Sequence, residues 1–210
     1  MNDFNVKFGI IGIDHRHVYT QAQFLIELGA ELVGWYTEGS PTTLGGFTKR
    51  FPKAKRFADP RSLLEDPDIR VILTSAVPND RAKISISAMK HGKDVMSDKP
   101  GCLSFGDLEE LRQTVQQTGR IWSVDFSERF EVPAVTLASQ LVSDGAIGDV
   151  IHTLGLGPHR LNPESRPNWF FDPNQNGGIL ADIGSHQIDQ FLFFTKSESA
   201  EITLASIRNM

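Results

Sequence analysis

From Phe8 to Phe126 short apolar runs alternate with stretches of helical spacing, and this alternation is what most limits the folds open to the chain. Phe8 to Ile13 is an apolar run that ends at a glycine turn, Gly12-Ile13-Asp14. Val18 to Leu28 then carries Phe24, Leu25 and Leu28 at helical spacing before Gly29 stops it. Glu31 to Tyr36 is a second strand, followed by a glycine- and proline-marked loop or a poorly formed helix around Phe47 to Phe51. Strands are expected again at Val71 to Ser75, Asp94 to Met96 and Ile121 to Phe126, with helices at Asp80 to His91 and Phe105 to Thr118 between them. Repeated strand-helix-strand units require a parallel sheet with helices on both faces. The expected class is therefore α/β, with a first domain over residues 1–126.

Beyond Phe126 the texture changes. Ala134 to Ser143 is amphipathic, Val150 to Leu156 is a strand candidate, and residues 157–176 hold Pro158, Pro163, Pro167 and Pro173 around Trp169, Phe170 and Phe171. Gly177 to Phe194 is long enough for a helix, and Ile202 to Ile207 reads as one more strand. Residues 127–210 thus read as an incomplete second α/β domain, whose small sheet would leave an edge and a face open.

The balance of 21 Lys+Arg against 26 Asp+Glu, a net charge of −5, gives no electrostatic footprint for a phosphate backbone or an anionic membrane, so neither nucleic acid nor membrane is an expected partner. Cys102 is the sole cysteine, which excludes an intrachain disulfide and any thiolate zinc cluster and fits a reducing cytoplasm. Met1 to Asn5 shows no leader-like basic and apolar pattern, and no apolar segment approaches the roughly 20 residues that span a bilayer. A cytoplasmic chain without processing is expected.

The first strand-turn-helix puts Gly12 where a dinucleotide's pyrophosphate meets backbone amides and the positive end of a helix. A dinucleotide fingerprint asks for glycine at 12, 14 and 17; the chain has Gly12, Asp14 and His17. The Asp14 carboxylate opposes a pyrophosphate, His15, Arg16 and His17 offset it, and Asp14 also suits a helix cap. After the second strand, Thr37 stands where a ribose-binding acid is usual and Glu38 follows; with Lys49 and Arg50 nearby, both NAD and NADP stay open. Asp98-Lys99-Pro100 follows the Asp94 strand at the carboxyl edge, where open α/β sheets hold ligands, and the proline restrains Lys99, which is suited to polarise an oxygen.

The sharpest pattern is Gly177 to Asp189. On a helix, Asp182, His186 and Asp189 are four and three residues apart and share one face within an otherwise apolar segment. An imidazole between carboxylates suits general acid-base chemistry; it also suits a structural histidine satisfied by either acid. A metal held by Asp182, His186 and His159 matches no strong ligand spacing, and no metal is expected. His159, Arg160, Arg166 and Trp169 offer cations and an indole for a polar, ring-shaped or carboxylated ligand.

Taken together, Phe8-Gly9-Ile10-Ile11-Gly12, Pro78-Asn79, Asp98-Lys99-Pro100, Arg129-Phe130, Gly145-Ala146-Ile147-Gly148 and the Gly177 to Asp189 block occur in an order that resembles the glucose-fructose oxidoreductase, inositol dehydrogenase and MocA (Gfo/Idh/MocA) family. The resemblance implies a Rossmann-type domain, then an α/β domain with a large open sheet, and NAD or NADP acting on a sugar or polyol. It implies that Lys99 stands for the lysine of the family's Glu-Lys-Pro motif, with Asp98 in place of the glutamate, and that Asp182 and His186 match the acid and histidine of the helix that closes the substrate site; Asp189 and the loop with His159, Arg160 and Trp169 are expected, from their own chemistry, to line the substrate. His186 would take a hydroxyl proton while Lys99 stabilises the developing oxyanion. Gly12, Asp14, His15, His17, Thr37, Glu38, Pro78, Asn79 and Asp98 would line the cofactor.

The departures are Asp14 and His17 for glycines, Thr37 for the acid, and Ala82 where the Thr-Pro-Asn motif ends in histidine. The resemblance also implies a second domain running on about 100 residues past Met210, with a sheet that serves homo-oligomers, so that the chain reads as a fragment or a shortened relative. Two further readings are a non-catalytic relative with weak cofactor binding and a glycoside-cleaving enzyme using NAD transiently.

Overall fold

The structure, a computed structural model, describes residues 6–157, 159–206 and 208; Met1–Asn5, Pro158, Ile207, Asn209 and Met210 lie outside the described residues. Six parallel strands form one sheet: β1 (Lys7–Ile11), β2 (Glu31–Tyr36), β3 (Lys55–Arg56), β4 (Ile69–Thr74), β5 (Asp94–Asp98) and β6 (Trp122–Asp125). Their order is β3-β2-β1-β4-β5-β6, so the chain reverses direction across the sheet between β1 and β4, and a crevice opens beyond the carboxyl ends of that pair. This is the expected Rossmann-type arrangement.

Period-two alternation in these strands divides the core between the two faces. Ile11 and Ile72 turn to one side, where they pack with Leu63, Ala82, Ile86, Met89, Val95 and Leu111. Phe8, Ile10 and Leu73 turn to the other, against Val18, Ala22, Trp35, Phe47 and Phe51. The helices that cover the sheet are α1 (Val18–Glu27), α2 (Leu44–Arg50), α3 (Arg61–Leu64), α4 (Pro78–Lys90) and α5 (Phe105–Thr118). Two of them show their sequence stops and starts plainly. Pro78 opens α4, where a missing N–H costs nothing. Ser104 caps α5 by accepting from the Asp107 amide at 3.0 Å, and Gly119 ends it in the left-handed region at φ 65°.

The remaining residues add α6 (Ser127–Phe130), α7 (Pro133–Ser143), α8 (Pro173–Asn176) and α9 (Ser185–Thr195). The expected long helix from Gly177 forms over residues 178–195: Gly177 and Gly178 have positive φ at its start, and one π-helical turn, Leu180–Gly184, lies within it and runs directly into α9. The two expected strands of the second part do not form. Val150 to Leu156 and the described portion of Ile202 to Ile207 pair with nothing among the described residues, and Ile151, Leu154, Leu156, Ile202 and Leu204 are exposed. Alternating apolar residues make a strand only when a neighbour accepts the backbone hydrogen bonds. Among the described residues no helix is long and apolar enough to cross a membrane.

Leu73 is fully buried at the centre of the sheet, packed on the α1 face. Leu73→Ala is expected to lower unfolding free energy by about 2–5 kcal/mol, read as a lower urea midpoint with an unchanged slope.

Candidate active site

The loop after β1 lies on the crevice. Gly12 has φ +82°, and a Cβ there would come within 2.4 Å of the Ala76 Cβ, so backbone conformation and close approach both require glycine. The loop is pinned to the neighbouring strand end: Gly12 N donates to Tyr36 O at 2.8 Å, Ser75 N to Gly12 O at 3.1 Å, and His15 N to Ser75 O at 2.8 Å. α1 begins after His17 without a side-chain cap, so Asp14 does not cap it. The Asp14 carboxyl is pushed up to about 6, first by burial and further by Asp80, against the pull of its own amide, Arg81 and the Val77 amide.

Both loop histidines turn to Asp98, which ends β5 fully buried. His15 Nδ1 and His17 Nδ1 each lie 2.9 Å from one of its oxygens, Arg81 Nη2 is 3.0 Å away, and Gln21 Nε2 is 3.4 Å away. Burial alone would raise the Asp98 pKa, but Arg81, then His17 and His15, hold it well below the usual carboxylate range. An ionised carboxylate only accepts, so each imidazole carries a proton on Nδ1. Burial lowers the His15 pKa to about 4 in spite of Asp98. The ligand atoms of His15, His17 and Asp98 fall within 4.8 Å of one another, a spacing open to a metal ion. Arg81 already supplies the cation to this carboxylate, and the set is a hydrogen-bonded clasp.

Arg81 is as buried as Asp98. Its Nε donates to Ala76 O at 2.8 Å, and its Nη1 donates to Lys99 O and, at 3.3 Å, to Pro100 O. One guanidinium therefore fixes the ends of β4 and β5 and the turn that carries Lys99. The sequence held a signal for it: buried Pro78, Arg81, Ala82, Ser85, Ile86 and Met89 repeat at helical spacing, so Arg81 occupies a core position of α4. A buried arginine needs a buried acid, and Asp98 was the available one. On the far side of Gln21, Nε2 donates to Asp125 at 2.8 Å, and Glu131 beside Asp125 is pushed up to about 7, first by burial and then by Asp125.

Lys99 is 4% exposed, and its Nζ donates to Asp182 Oδ1 and to Asp182 O, both at 2.7 Å. Burial opposes ionisation of Asp182, but Lys99 outweighs it and lowers the pKa. His186 is 2% exposed, stands edge-on to Phe126 at 6.1 Å, and leaves Nδ1 buried without a hydrogen-bond partner among the described residues. Burial, then Lys99, lowers its pKa to about 4. Asp182 and His186 thus meet at Lys99, while Asp189 is held by Arg129 through two bonds of 2.6 and 2.8 Å. Trp169 reaches His15, with ring centres 6.1 Å apart, and Arg166 lies over Phe170 at 4.3 Å. His159 faces Glu128 at 3.5 Å, away from Asp182, and Arg160 is exposed.

At the end of β2, Thr37 is buried with Oγ1 unpartnered among the described residues, in a cavity of about 340 Å³ that it lines with Tyr36, Arg56, Phe57 and Ala58. Glu38 and Asn79 are exposed, and Pro78 is buried at the start of α4. Arg56, which stacks on Trp35 at 5.1 Å, lies on a two-residue strand the sequence pattern did not reveal.

Residues 6–126 match the family model described as "Oxidoreductase family, NAD-binding Rossmann fold", and residues 135–209 match that of the GFO/IDH/MocA C-terminal domain. The chain is 31% identical over 167 residues to the levoglucosan dehydrogenase of Pseudarthrobacter phenanthrenivorans, covering 78% of this chain and 42% of that one. It is 30% identical over 148 residues to the NAD(+) scyllo-inositol 2-dehydrogenase of Bacillus subtilis, covering 70% and 41%. A crystal structure of a protein from Erwinia carotovora atroseptica superposes with a TM-score of 0.87 at 40% identity, over 91% of this chain and 57% of that one. The chain spans less than half the length of the two curated relatives.

Asp98→Asn keeps the shape of the clasp but leaves Arg81 as a buried unpaired cation. A loss of about 3–5 kcal/mol at pH 7 is expected from chemical denaturation. Because the folded Asp98 pKa is depressed, this stabilisation is present above the unfolded carboxyl pKa and fades as pH falls toward the folded value. Glu131 behaves oppositely: its folded pKa is raised, so stability present at low pH is lost as pH rises toward 7. Glu131→Gln, which mimics the protonated acid, is expected to gain on the parent by a few °C in Tm, roughly, between pH 5 and pH 8.

Proposed function

Because the chain belongs to the GFO/IDH/MocA family of oxidoreductases with an NAD-binding Rossmann fold, we propose that it binds NAD or NADP across the β1–β4 crevice and takes part in hydride transfer to or from a sugar or polyol-like substrate. One juxtaposition carries this reading: Lys99, from the Rossmann sheet, is hydrogen-bonded to Asp182 from the segment that closes over it, with His186 one turn further along. The curated relatives bear the names of levoglucosan and scyllo-inositol dehydrogenases, and they support the substrate class.

The residues fit a dinucleotide. Thr37 Oγ1 is an orphaned buried hydroxyl at the end of β2, in a cavity with Arg56 at its wall, and would meet the adenosine ribose. Gly12, Asp14, His15 and His17 would face the diphosphate, with Pro78, Asn79 and Glu38 around it and Asp98 behind. When bound, the nicotinamide supplies the hydride acceptor or donor. Lys99 Nζ, held by Asp182, stabilises the oxyanion that develops on the reacting carbon's oxygen. The His186 imidazole, neutral at pH 7, takes the hydroxyl proton in oxidation and returns it in reduction. Trp169 and Phe126 exclude water from this proton transfer, while His159 and Arg160 offer polar contacts to the substrate. Asp189 acts at one remove, anchoring α9 through Arg129.

Titration of the whole protein with NADH and NADPH, followed by nicotinamide fluorescence, is expected to saturate, and a panel of sugars and polyols to show turnover. Lys99→Ala is expected to reduce kcat by roughly 10²–10³ and His186→Ala by roughly 10²–10⁴, with dinucleotide affinity little changed in the second. A folded protein that shows no saturation with either dinucleotide would overturn the reading.

A further inference from the structure

The clasp on Asp98 has a chemical consequence at the cleft. The two nitrogens of an imidazole lie on opposite edges of the ring, so with Nδ1 of His15 and His17 committed to Asp98, the Nε2 edges point away from it. The Asp98 side chain is 0% exposed, whereas those of His15 and His17 are 12% and 22% exposed. With Nδ1 held by Asp98, Nε2 is the ring nitrogen left to meet a ligand; the ring centres lie 4.0 Å apart with their planes at 74°, at the start of α1, where the Val18 and Tyr19 amides already donate to His15 O and Arg16 O. Position 17 is the third fingerprint glycine, and here it carries a bulky, polar, ionisable group in its place.

A neutral imidazole whose Nδ1 carries the proton has only a lone pair on Nε2. It repels a phosphate oxygen, which is itself an acceptor; the protonated ring donates to it. We propose that His15 and His17 form an imidazole pair that receives the dinucleotide's diphosphate, and that at least one of them takes up a proton as the ligand binds. This rests on the dinucleotide reading above and specifies how that ligand is held. The buried Asp98–Arg81 pair stays charged and neutral in sum, so the added proton supplies positive charge in addition to that of Arg16.

The groups that face the pair come from every surrounding element. Asp14 and Arg16 flank it on the loop, with Asp80 beside Asp14, and Asp98 from β5 and Arg81 from α4 act on it directly. Asp125 from β6 and Glu131 just after α6 act on His17, Asp182 from the π turn on His15, and His186 from α9 on His17, with Lys99 and Glu128 next to His186 and Arg166 next to Arg16. Three of the acids are committed: Asp182 to Lys99, Asp98 to Arg81, Asp125 to Gln21. Burial keeps His15 neutral at pH 7 in the free protein, in line with uptake on binding. Asp14 and Glu131 are the other groups able to take a proton there, and the test must separate them from the histidines.

Calorimetric titration of the whole protein with NADH, in buffers of different ionisation enthalpy between pH 6 and 8.5, reads proton uptake directly. Uptake of about one proton is expected, with Kd rising roughly tenfold per pH unit over the range where it occurs. His15→Asn and His17→Asn, singly and together, keep a side-chain N–H in the Nδ1 position for Asp98 but lack Nε2. The double variant, or either single variant if the double does not fold, is expected to bind more weakly with a flattened pH dependence, while Asp14→Asn and Glu131→Gln keep the slope. Saturable binding without uptake or pH dependence overturns the inference and leaves the dinucleotide reading intact; so does uptake that vanishes in Asp14→Asn or in Glu131→Gln and persists in the histidine variants. Absence of binding at every pH by folded protein overturns both.

Discussion

The Asp98–Arg81 pair is the constraint on which the site depends. Two opposite charges withdrawn from water are tolerated only when each also finds its remaining hydrogen bonds. Here those bonds run outward to everything that shapes the crevice. Arg81 takes the carbonyls of Ala76, Lys99 and Pro100, so the ends of β4 and β5 cannot separate without uncovering a buried guanidinium. Asp98 takes His15 and His17, so the loop after β1 is bound to the end of a strand two places away in the sheet. In most dinucleotide folds a tight glycine loop is held by backbone geometry alone. In this chain only Gly12 keeps that role, and the rest of the loop is held by the His15 amide on Ser75 O together with the side-chain bonds of His15 and His17 to Asp98.

Much of the first domain was legible because period and burial agree there. Strands such as Phe8 to Ile11 and Ile69 to Thr74 are apolar on both sides and lie between two helical layers, so pattern and environment point the same way. The short strand β3 was not legible, since Lys55 and Arg56 are exposed at the sheet edge and carry no apolar signal. In the second part the pattern misled. Val150 to Leu156 and Ile202 to Ile207 have the composition of strands, but a strand is a pairing, and pairing is not a property of one segment. The Gly177 helix was legible because its apolar residues recur at helical spacing, and it forms over residues 178–195; the positive φ at Gly177 and Gly178 and the π turn within it depend on contacts that spacing does not encode. Gly177 sits where a Cβ would meet Leu103 at 2.5 Å.

Within the site, the sequence identified groups more readily than partners. Asp182, His186 and Asp189 do follow one another along a helical segment, but seven residues of helix advance roughly 10 Å. Asp182 therefore meets the end of β5 and Asp189 meets α6, and a stripe that reads as one unit serves two neighbours. Arg81 went unread for the opposite reason. It lies between ordinary α4 residues, and its function appears only when Asp98 is seen at the same depth. The concern that Asp14 repels a phosphate also changes its footing, since burial, with Asp80 beside it, favours the neutral acid more than an exposed aspartate would allow.

Lys99 joins these strands of argument. Its backbone is fixed from below by Arg81, through its own carbonyl and that of Pro100, and its ammonium is fixed from above by Asp182, through carboxylate and carbonyl together. The first contact is made within the Rossmann sheet and the second only when the π turn sits on the crevice. A buried ammonium left without its acid would be an unpaired charge, which costs stability. The same contact that docks residues 180–184 on the sheet therefore also pairs the Lys99 ammonium, so seating of that turn and pairing of the cation are one event.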